Sequence, residues 1–216
     1  AVAVDPSSKV GLIEPLQKNQ EICIGSSATS IALPSHTGTI QWQTANLGGS
    51  YADITGLTNA TLLFGNIVTN VAGTKIYRAQ VTSGVCPAIY SEIATVQVDA
   101  ETVAGSIASA SNLICNGSTP PTITLTGNTG STIKWQTRLA SATYVDPIAS
   151  QTGSSISSVV NNIAPASSQV VNYYQAIVKS GACNPLTTNE VAVAVDPSSK
   201  VGLIEPLQKN QEICIG

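Results

Sequence analysis

The segment KIYRAQVTSGVC at residues 75–86 places Tyr77, Ala79 and Val81 at alternate positions, ahead of a Ser-Gly pair. Alternation with a period of two predicts a β-strand, and the Ser-Gly pair predicts the turn that ends it. The same pattern returns as YQAIVKSGAC at residues 174–183. One strand and its turn therefore occur twice, and on both occasions they indicate the same local fold.

Further stretches with this period lie along the chain, and Gly, Asn, Ser and Pro residues separate them. They include residues 30–33, 39–43 and 93–98. Only 10% of all residues are charged, whereas small and β-branched residues are abundant. This composition suits strands and disfavours helices or disorder. The sequence therefore predicts an all-β protein.

Six or seven short strands in roughly 95 residues fit an immunoglobulin-like β-sandwich. In that architecture Trp42 and Trp135 occupy strand C, the third strand. Tyr77 and Tyr174 take the place of the corner tyrosine on strand F. We expect these four aromatic residues to anchor the cores of tandem immunoglobulin-like modules.

A long exact repeat sets the organisation of the chain. The string AVAVDPSSKVGLIEPLQKNQEICIG at residues 1–25 returns letter for letter at residues 192–216, which gives a period of 191 residues. Within that period, residues 22–44 align with residues 114–137 as a diverged second copy. Repetition at a fixed spacing is typical of tandem arrays, so each period is predicted to contain two related modules.

The predicted boundaries follow from these alignments. Residues 1–5 are the tail of a preceding module, residues 6–98 form the first module and residues 99–195 form the second. Residues 196–216 repeat residues 5–25 and are expected to form the first strand of a third module. We expect the chain to be one period, with an overlap, from a longer tandem array.

Three motifs resemble a known family. The segments SHTGTIQWQT, KIYRAQVTSGVC and the VAGSI opening followed by ICNG look like the immunoglobulin-like repeats of very large surface and secreted proteins of Bacteroidota. That family includes gliding-motility adhesins exported by the type IX system. The resemblance covers essentially all of both modules. It implies a fibrous, extracellular, cell-surface protein and identifies no ligand.

Five cysteines without a C-x-x-C motif favour disulfides and an oxidising compartment. In antibody-type domains a cysteine lies two residues after the corner tyrosine, but those positions hold Ala79 and Ala176. The usual buried bridge is therefore missing. The cysteines must pair in another way.

Two pairings remain open. Bridges within the modules would join Cys23 to Cys86 and Cys115 to Cys183, but strand direction places these partners about 25 Å or more apart. They could meet if the segment before strand B, the strand with Ile31 or Ile123, folded back along strand G, the last strand of the module. Modules stacked end to end would instead bring Cys23 toward Cys183, and would leave Cys86, Cys115 and Cys214 to neighbouring units. The second pairing explains the odd number of cysteines and predicts a stiff rod.

The sequence indicates no catalytic, cofactor or metal site. His36 is the one histidine, and its counterpart in the second module is Asn128, so both are interpreted as turn residues. Calcium at the module junctions would have one or two carboxylates per junction, from Asp5, Asp99, Glu101 and Asp196, where calcium takes six to eight oxygen ligands. We expect no enzyme activity and no bound metal or cofactor.

Charge and hydropathy exclude further classes of partner. The net charge is -3 and basic residues are scattered singly, so nucleic acid is not an expected partner. The longest apolar runs, such as Val191 to Val195, are too short to span a bilayer.

We expect a stalk segment of a cell-surface adhesin, in which one module adds about 40 Å and one period on the order of 80 Å. The expected partners are neighbouring repeats, with surface glycans or other cells as further candidates. One alternative is a carbohydrate- or protein-binding module, which exposed aromatic residues would mark; most of the nine aromatic residues are instead assigned to the core. The other alternative is an accessory region of a secreted hydrolase.

Overall fold

A computed structural model describes residues 4–140, 142–146, 152–156 and 168–197. The predicted strand of a third module lies almost wholly outside the described residues, and so does Cys214. The described chain forms two β-sandwiches on either side of Asp99, each with its own apolar core.

The first sandwich consists of ten short strands, one helical turn and one 3-10 turn. The strands are β1 (Lys9–Val10), β2 (Asn19–Cys23), β3 (Ile31–Ala32), β4 (His36–Thr37), β5 (Thr39–Asn46), β6 (Ala52–Asp53), β7 (Thr61–Leu62), β8 (Gly73–Thr82), β9 (Ile89–Tyr90) and β10 (Ala94–Asp99). The helix α1 spans Pro15–Lys18 and the 3-10 turn spans Phe64–Asn66.

One layer of the first sandwich is a sheet in the order β2-β10-β8-β5-β6, with β9 paired to β8. The facing layer holds the antiparallel pairs β1-β4 and β3-β7. Strand β2 runs parallel to β10, whereas the other neighbours in this sheet are antiparallel. A first strand divided between the two layers, followed by this order, is an immunoglobulin-like arrangement.

The second sandwich repeats this plan. Its strands are β11 (Ser106–Ser109), β12 (Leu113–Cys115), β13 (Ile123–Thr126), β14 (Ser131–Leu139), β15 (Ser155–Ile156), β16 (Val170–Lys179), β17 (Leu186–Thr187) and β18 (Val191–Asp196). One sheet has the order β12-β18-β16-β14 and the other has the order β11-β13-β15. Strand β12 is parallel to β18, as β2 is to β10. The predicted all-β fold of tandem immunoglobulin-like sandwiches is confirmed.

Each core is built around a tryptophan that faces an alanine on the neighbouring strand. Trp42 lies opposite Ala79, and Trp135 lies opposite Ala176; all four are buried. The alanines stand where an antibody-type domain has its cysteine, so a small side chain lies opposite each tryptophan at that position. The indole N–H of Trp42 donates to the Asn59 carbonyl over 2.8 Å, which satisfies the one polar group of the ring.

The two corner tyrosines are also buried. The backbone N–H of Val68 donates to the hydroxyl oxygen of Tyr77 over 3.0 Å, which ties the 3-10 turn region to β8. Burial raises the pKa of Tyr77, and it raises the pKa of Tyr174 to about 12. Both phenols therefore stay neutral in the folded sandwiches at neutral pH.

One local expectation is wrong. His36 lies in strand β4, where it pairs with Val10 of β1, and not in a turn. Its counterpart Asn128 lies between strands, and its side-chain amide donates to the Gly130 carbonyl over 2.8 Å. The turn in the first sandwich falls at Gly38, whose φ is +120°; a Cβ there would lie 2.5 Å from the Thr82 carbonyl oxygen.

Two adjacent leucines at the end of β7, Leu62 and Leu63, provide a matched test of the first core. Leu62 is 1% exposed and Leu63 is 56% exposed. We expect Leu62→Ala to reduce the free energy of unfolding by about 2–5 kcal/mol, because it leaves a cavity beside Trp42. Leu63→Ala should stay within about 0.5 kcal/mol of the parent. Urea unfolding followed by Trp42 fluorescence in a Trp135→Phe background measures both; equal losses would contradict the assigned core.

Candidate functional site: the junction between the two sandwiches

A disulfide joins Cys23 of the first sandwich to Cys183 of the second, with Cα atoms 4.6 Å apart. This separation lies within the range that disulfides require. Of the two pairings left open by the sequence, the structure contains the one between modules. Cys183 is 3% exposed, so the bridge is closed off from solvent on that side.

Strand directions bring these cysteines together. Because β2 is parallel to β10, Cys23 lies opposite Asp99, at the end of the first sandwich where the chain leaves it. Strand β16 is antiparallel to β18, so the turn at residues 180–183, here called the second Ser-Gly turn, lies at the end where the chain enters the second sandwich. Both cysteines therefore lie beside the connecting backbone.

A carboxylate fixes the second Ser-Gly turn to that backbone. The N–H of Ala182 donates to Asp99 Oδ2 over 2.8 Å, and the side-chain amide of Gln97 donates to Oδ1 over 3.2 Å. The N–H of Ser180 donates to Thr102 Oγ1 over 3.1 Å. The Asp99 carboxylate therefore accepts hydrogen bonds from both sides of the junction, from Gln97 of β10 and from Ala182 of the second Ser-Gly turn.

Glycine is required in the second Ser-Gly turn by the closeness of Asp99. Gly181 has a φ of +42°, and a Cβ on it would lie 1.9 Å from Asp99 Oδ2. The sulfur of Cys183 lies 3.3 Å from the Ala100 carbonyl oxygen. The turn thus wraps around residues 99–102 without room for a side chain at its tip.

The same arrangement exists at the other end of the first sandwich. There Asp5 Oδ2 accepts from the N–H of Val85 over 3.2 Å, and the N–H of Ser83 donates to Ser8 Oγ over 3.0 Å. A Cβ on Gly84 would lie 2.0 Å from Asp5 Oδ2. Residues 83–86, here called the first Ser-Gly turn, therefore hold Asp5 and Ser8 ahead of β1 as the second turn holds Asp99.

Two further predicted bridge cysteines are free thiols in the described part of the chain. Cys86 is half-buried in the first Ser-Gly turn, and Cys115 is exposed at the end of β12. The structure does not bring Cys86 to Cys23 or Cys115 to Cys183, because Cys23 and Cys183 are bonded to each other.

Replacement of the glycine at the second Ser-Gly turn tests the carboxylate contact. We expect Gly181→Ala to destabilise the second sandwich by about 1–3 kcal/mol more than Gly127→Ala. Both glycines have positive φ, so both substitutions strain the backbone, but a Cβ on Gly127 would have nothing within 4 Å. Urea unfolding followed by Trp135 fluorescence in a Trp42→Phe background measures the difference; equal effects would exclude the clash with Asp99.

A second cluster lies away from the junction, on the outer face of the first sandwich. The guanidinium carbon of Arg78 lies 3.8 Å from the ring centroid of Tyr51 and 4.0 Å from that of Tyr90. Arg78 Nε also donates to Gln43 Oε1 over 2.8 Å. Such cation–π stacks stabilise the partly exposed face of a sheet by about 0.5–1 kcal/mol each.

The second sandwich has its own arginine–tyrosine cluster. The guanidinium carbon of Arg138 lies 4.2 Å from the Tyr173 ring centroid and 5.2 Å from that of Tyr144. Arg138 Nη2 also pairs with Glu190 Oε2 at 2.6 Å, and the Tyr144 hydroxyl donates to the same oxygen. These donors lower the pKa of the Glu190 carboxyl, the Tyr144 hydrogen bond most.

The expectation that most aromatic residues occupy the core is wrong. Trp42, Trp135, Tyr77 and Tyr174 are buried as expected. The remaining aromatic residues of the described chain lie partly or fully exposed, namely Tyr51, Phe64, Tyr90, Tyr144 and Tyr173. Four of these are the tyrosines that stack on arginine.

The lowered pKa of Glu190 predicts a pH dependence of the second sandwich. Because the folded pKa lies below the unfolded one, the carboxylate stabilises the fold above the ordinary glutamate pKa, and this contribution disappears as the pH falls through the lowered value. Glu190→Gln should flatten this part of a plot of urea midpoint against pH. Tyr144→Phe should move the same step to higher pH; a profile unchanged by either variant would contradict the assignment.

Within the described ranges, no group of three or more histidine, cysteine, aspartate or glutamate residues is placed to hold a metal ion. The junction carboxylates of Asp5 and Asp99 accept hydrogen bonds from the two Ser-Gly turns instead. Asp196 Oδ1 accepts from the side-chain amide of Gln169 over 2.8 Å. Among the described residues there is also no helix with the length and hydropathy of a membrane span.

Sequence reasoning found the cysteines and the Ser-Gly turns but missed their carboxylate partner. Aspartate recurs at positions 5, 99 and 196 of the sequence, and Asp99 and Asp196 end the equivalent strands β10 and β18. The signal that identifies its role is the similar spacing to the Ser-Gly pair, 78 residues from Asp5 to Ser83 and 81 residues from Asp99 to Ser180.

Comparison with known proteins gives one family and several distant structures. The model of a family described as a domain of unknown function, DUF8696, matches residues 14–100 and again residues 103–197. No curated protein matches the chain in sequence.

Among solved structures, the fibronectin(III)-like modules of Clostridium thermocellum CbhA are 13% identical, with 86% of this chain and 92% of that chain covered and a TM-score of 0.29. A calcium-stabilised adhesin with which an Antarctic bacterium binds ice is 11% identical, with 91% and 51% covered and a TM-score of 0.34. A SusE-like, surface-located polysaccharide-binding protein of Bacteroides thetaiotaomicron is 12% identical, with 86% and 34% covered and a TM-score of 0.25.

Proposed function

The chain belongs to the DUF8696 family, of which it contains two consecutive domains, and we propose that it is a load-bearing stalk segment of a cell-surface adhesin. Its function is reach and stiffness, and it carries out no catalysis. Adhesion is delivered elsewhere on the protein or by many weak contacts along the stalk. The partners of this segment are neighbouring repeats of the same chain.

The observation that supports this proposal is the covalent bridge across the junction. A linker between independent binding domains needs freedom to swing, whereas Cys23–Cys183 and the Asp99 contact tie the two sandwiches at neighbouring points. Neither of these two contacts can be kept if the sandwiches rotate, and the Ser180–Thr102 bond holds the second Ser-Gly turn in place within the second sandwich. The junction is therefore suited to transmit force.

The bridge also stabilises both sandwiches against unfolding. Its cysteines are 160 residues apart in sequence. In the chain-entropy model, closing a loop of this size lowers the entropy of the unfolded chain and stabilises the fold by about 5 kcal/mol. The loop includes most of both cores, so neither sandwich can lengthen fully while the bridge holds.

The disulfide supports an extracellular, cell-surface location, because such bonds persist in oxidising compartments. The segments SHTGTIQWQT and KIYRAQVTSGVC, which resemble repeats of large Bacteroidota surface proteins, support an origin in that group and export by the type IX system. The same resemblance supports a role in gliding motility.

The arginine–tyrosine clusters favour the stalk over a carbohydrate-binding module. A sugar platform offers open aromatic faces, but in each sandwich the guanidinium group already stacks on the tyrosines. The four rings are thus engaged in stabilising the outer faces of the sheets. Binding of the oxidised chain to a glycan array would overturn this assignment.

Rotational diffusion tests the stiffness directly. We expect ¹⁵N relaxation of the oxidised chain to give one common correlation time for both sandwiches, because the junction fixes them together. Cys23→Ser should separate the values, since one of the two ties is lost. Cys86→Ser is the matched control and should leave the common value unchanged, because that thiol is unbonded. Two independent correlation times in the oxidised parent would refute the proposed stalk.

A further inference from the structure

We propose that Cys115 of one period forms a disulfide with Cys86 of the next period, so that two sets of bridges interleave along the array. This inference rests on the proposed function, in that it requires periods to follow one another in one chain. It identifies the partner of each free thiol as a defined cysteine in a second copy of the same 191-residue period.

The surroundings of the Cys86 sulfur match those of the bonded Cys183 sulfur. The sulfur of Cys86 lies 3.5 Å and 3.9 Å from the carbonyl oxygens of Pro6 and Asp5. The sulfur of Cys183 lies 3.3 Å and 3.8 Å from those of Ala100 and Asp99. The first Ser-Gly turn is therefore already in the conformation that a bridged turn adopts.

The backbone position of Cys115 likewise matches that of Cys23. Cys23 lies opposite Asp99 in the parallel pair β2-β10, and the next N–H donates to the Asp99 carbonyl over 2.9 Å. Cys115 lies opposite Asp196 in the parallel pair β12-β18, and the next N–H donates to the Asp196 carbonyl over 2.8 Å. Both cysteines thus stand beside the final aspartate of their sandwich.

The exact repeat relates the position of Cys115 to that of Cys86. Residues 1–5 and residues 192–196 have the same sequence, so Asp5 and Asp196 are the same position of the period. The first Ser-Gly turn holds Asp5, and Cys115 lies beside Asp196. Superposing the two aspartates therefore places a Cys115 against a Cys86, as Cys23 is placed against Cys183.

The burial of the valine that precedes the repeated aspartate supports the same partner for Cys86. Val195 is 1% exposed inside the second sandwich, and Val4 is the identical position of the period. Val85, beside Cys86, is 93% exposed. A sandwich whose last strand ends in Val4-Asp5 would bury Val4 in its core and would present its Cys115 to Cys86.

The bond forms by oxidation of two thiols. Two S–H bonds are broken and one S–S bond is formed, and the two electrons and two protons pass to a disulfide-bearing oxidant, which leaves as two thiols. Exchange proceeds through a mixed disulfide with the more accessible sulfur. Cys115 is exposed and Cys86 is half-buried, so the Cys115 sulfur is the first to attack the disulfide of the oxidant.

The two kinds of bridge overlap in sequence. Cys115 lies inside the loop closed by Cys23 and Cys183, and Cys183 lies inside the loop that runs from Cys115 to Cys86 of the next period. Two separate covalent paths then run the length of the array. One has 31 residues of backbone per period, from Cys183 to Cys214, and the other has 29, from Cys86 to Cys115.

This topology limits extension even if either bridge fails. A fully unfolded period without bridges would reach about 670 Å at ~3.5 Å per residue, whereas either path allows about 110 Å, roughly sixfold less. Cys214 carries the first path into the following period as the copy of Cys23. The array behaves as two parallel tethers.

The test uses a chain of two complete periods, residues 1–191 followed by residues 1–216, oxidised with a low-molecular-weight disulfide and digested without reduction. We expect a peptide that joins Cys115 of the first copy to Cys86 of the second. Alkylation of both thiols beside intact Cys23–Cys183 would overturn the interleaved bridge and leave the proposed stalk standing. Absence of Cys23–Cys183 would instead overturn the proposed stalk.

A second measurement separates the two bridges mechanically. The two-period chain with Cys23→Ser and Cys183→Ser in both copies is pulled by its ends. We expect the oxidised form to release about 560 Å less contour length than the reduced form, because the new loop encloses about 160 residues. Adding Cys115→Ser in the first copy is the control and should restore the full length. Equal lengths before and after reduction would contradict the bridge.

Discussion

The structure depends on the close contact between Asp99, at the end of the first sandwich, and the second Ser-Gly turn, in the second sandwich. The Asp99 carboxylate lies so near the second Ser-Gly turn that Gly181 has no room for a Cβ. This approach sets the position of Cys183, and the parallel pairing of β2 with β10 sets the position of Cys23. The disulfide therefore follows from two backbone constraints, and it makes their combined geometry permanent.

Much of this architecture could be predicted from the sequence. Period-two alternation identified β5, β8 and β10, and the tryptophan and tyrosine positions identified the two cores. The absence of cysteine at Ala79 and Ala176 excluded the usual bridge and left two pairings open. Sequence alone could not choose between them, because the choice depended on the direction in which the segment with Cys23 ran along strand β10; the parallel pairing places Cys23 opposite Asp99 at the junction.

Other features depend on contacts that a linear pattern does not encode. Arg78 is on β8 whereas Arg138 is on β14, yet each stacks on two tyrosines at the outer face of its sheet. Aligned copies of the repeat do not place these arginines at equivalent positions, so the alignment gave no sign of a shared cluster. The cluster arises from cross-strand neighbours, such as Gln43 opposite Arg78, which only the register shows.

The central claim is that the disulfide crosses the junction instead of closing within a sandwich. Non-reducing peptide mapping of the oxidised 216-residue chain tests it most directly. The account predicts one linked peptide that contains Cys23 and Cys183, with Cys86 and Cys115 open to alkylation before reduction. Linked peptides that join Cys23 to Cys86 and Cys115 to Cys183 would contradict it.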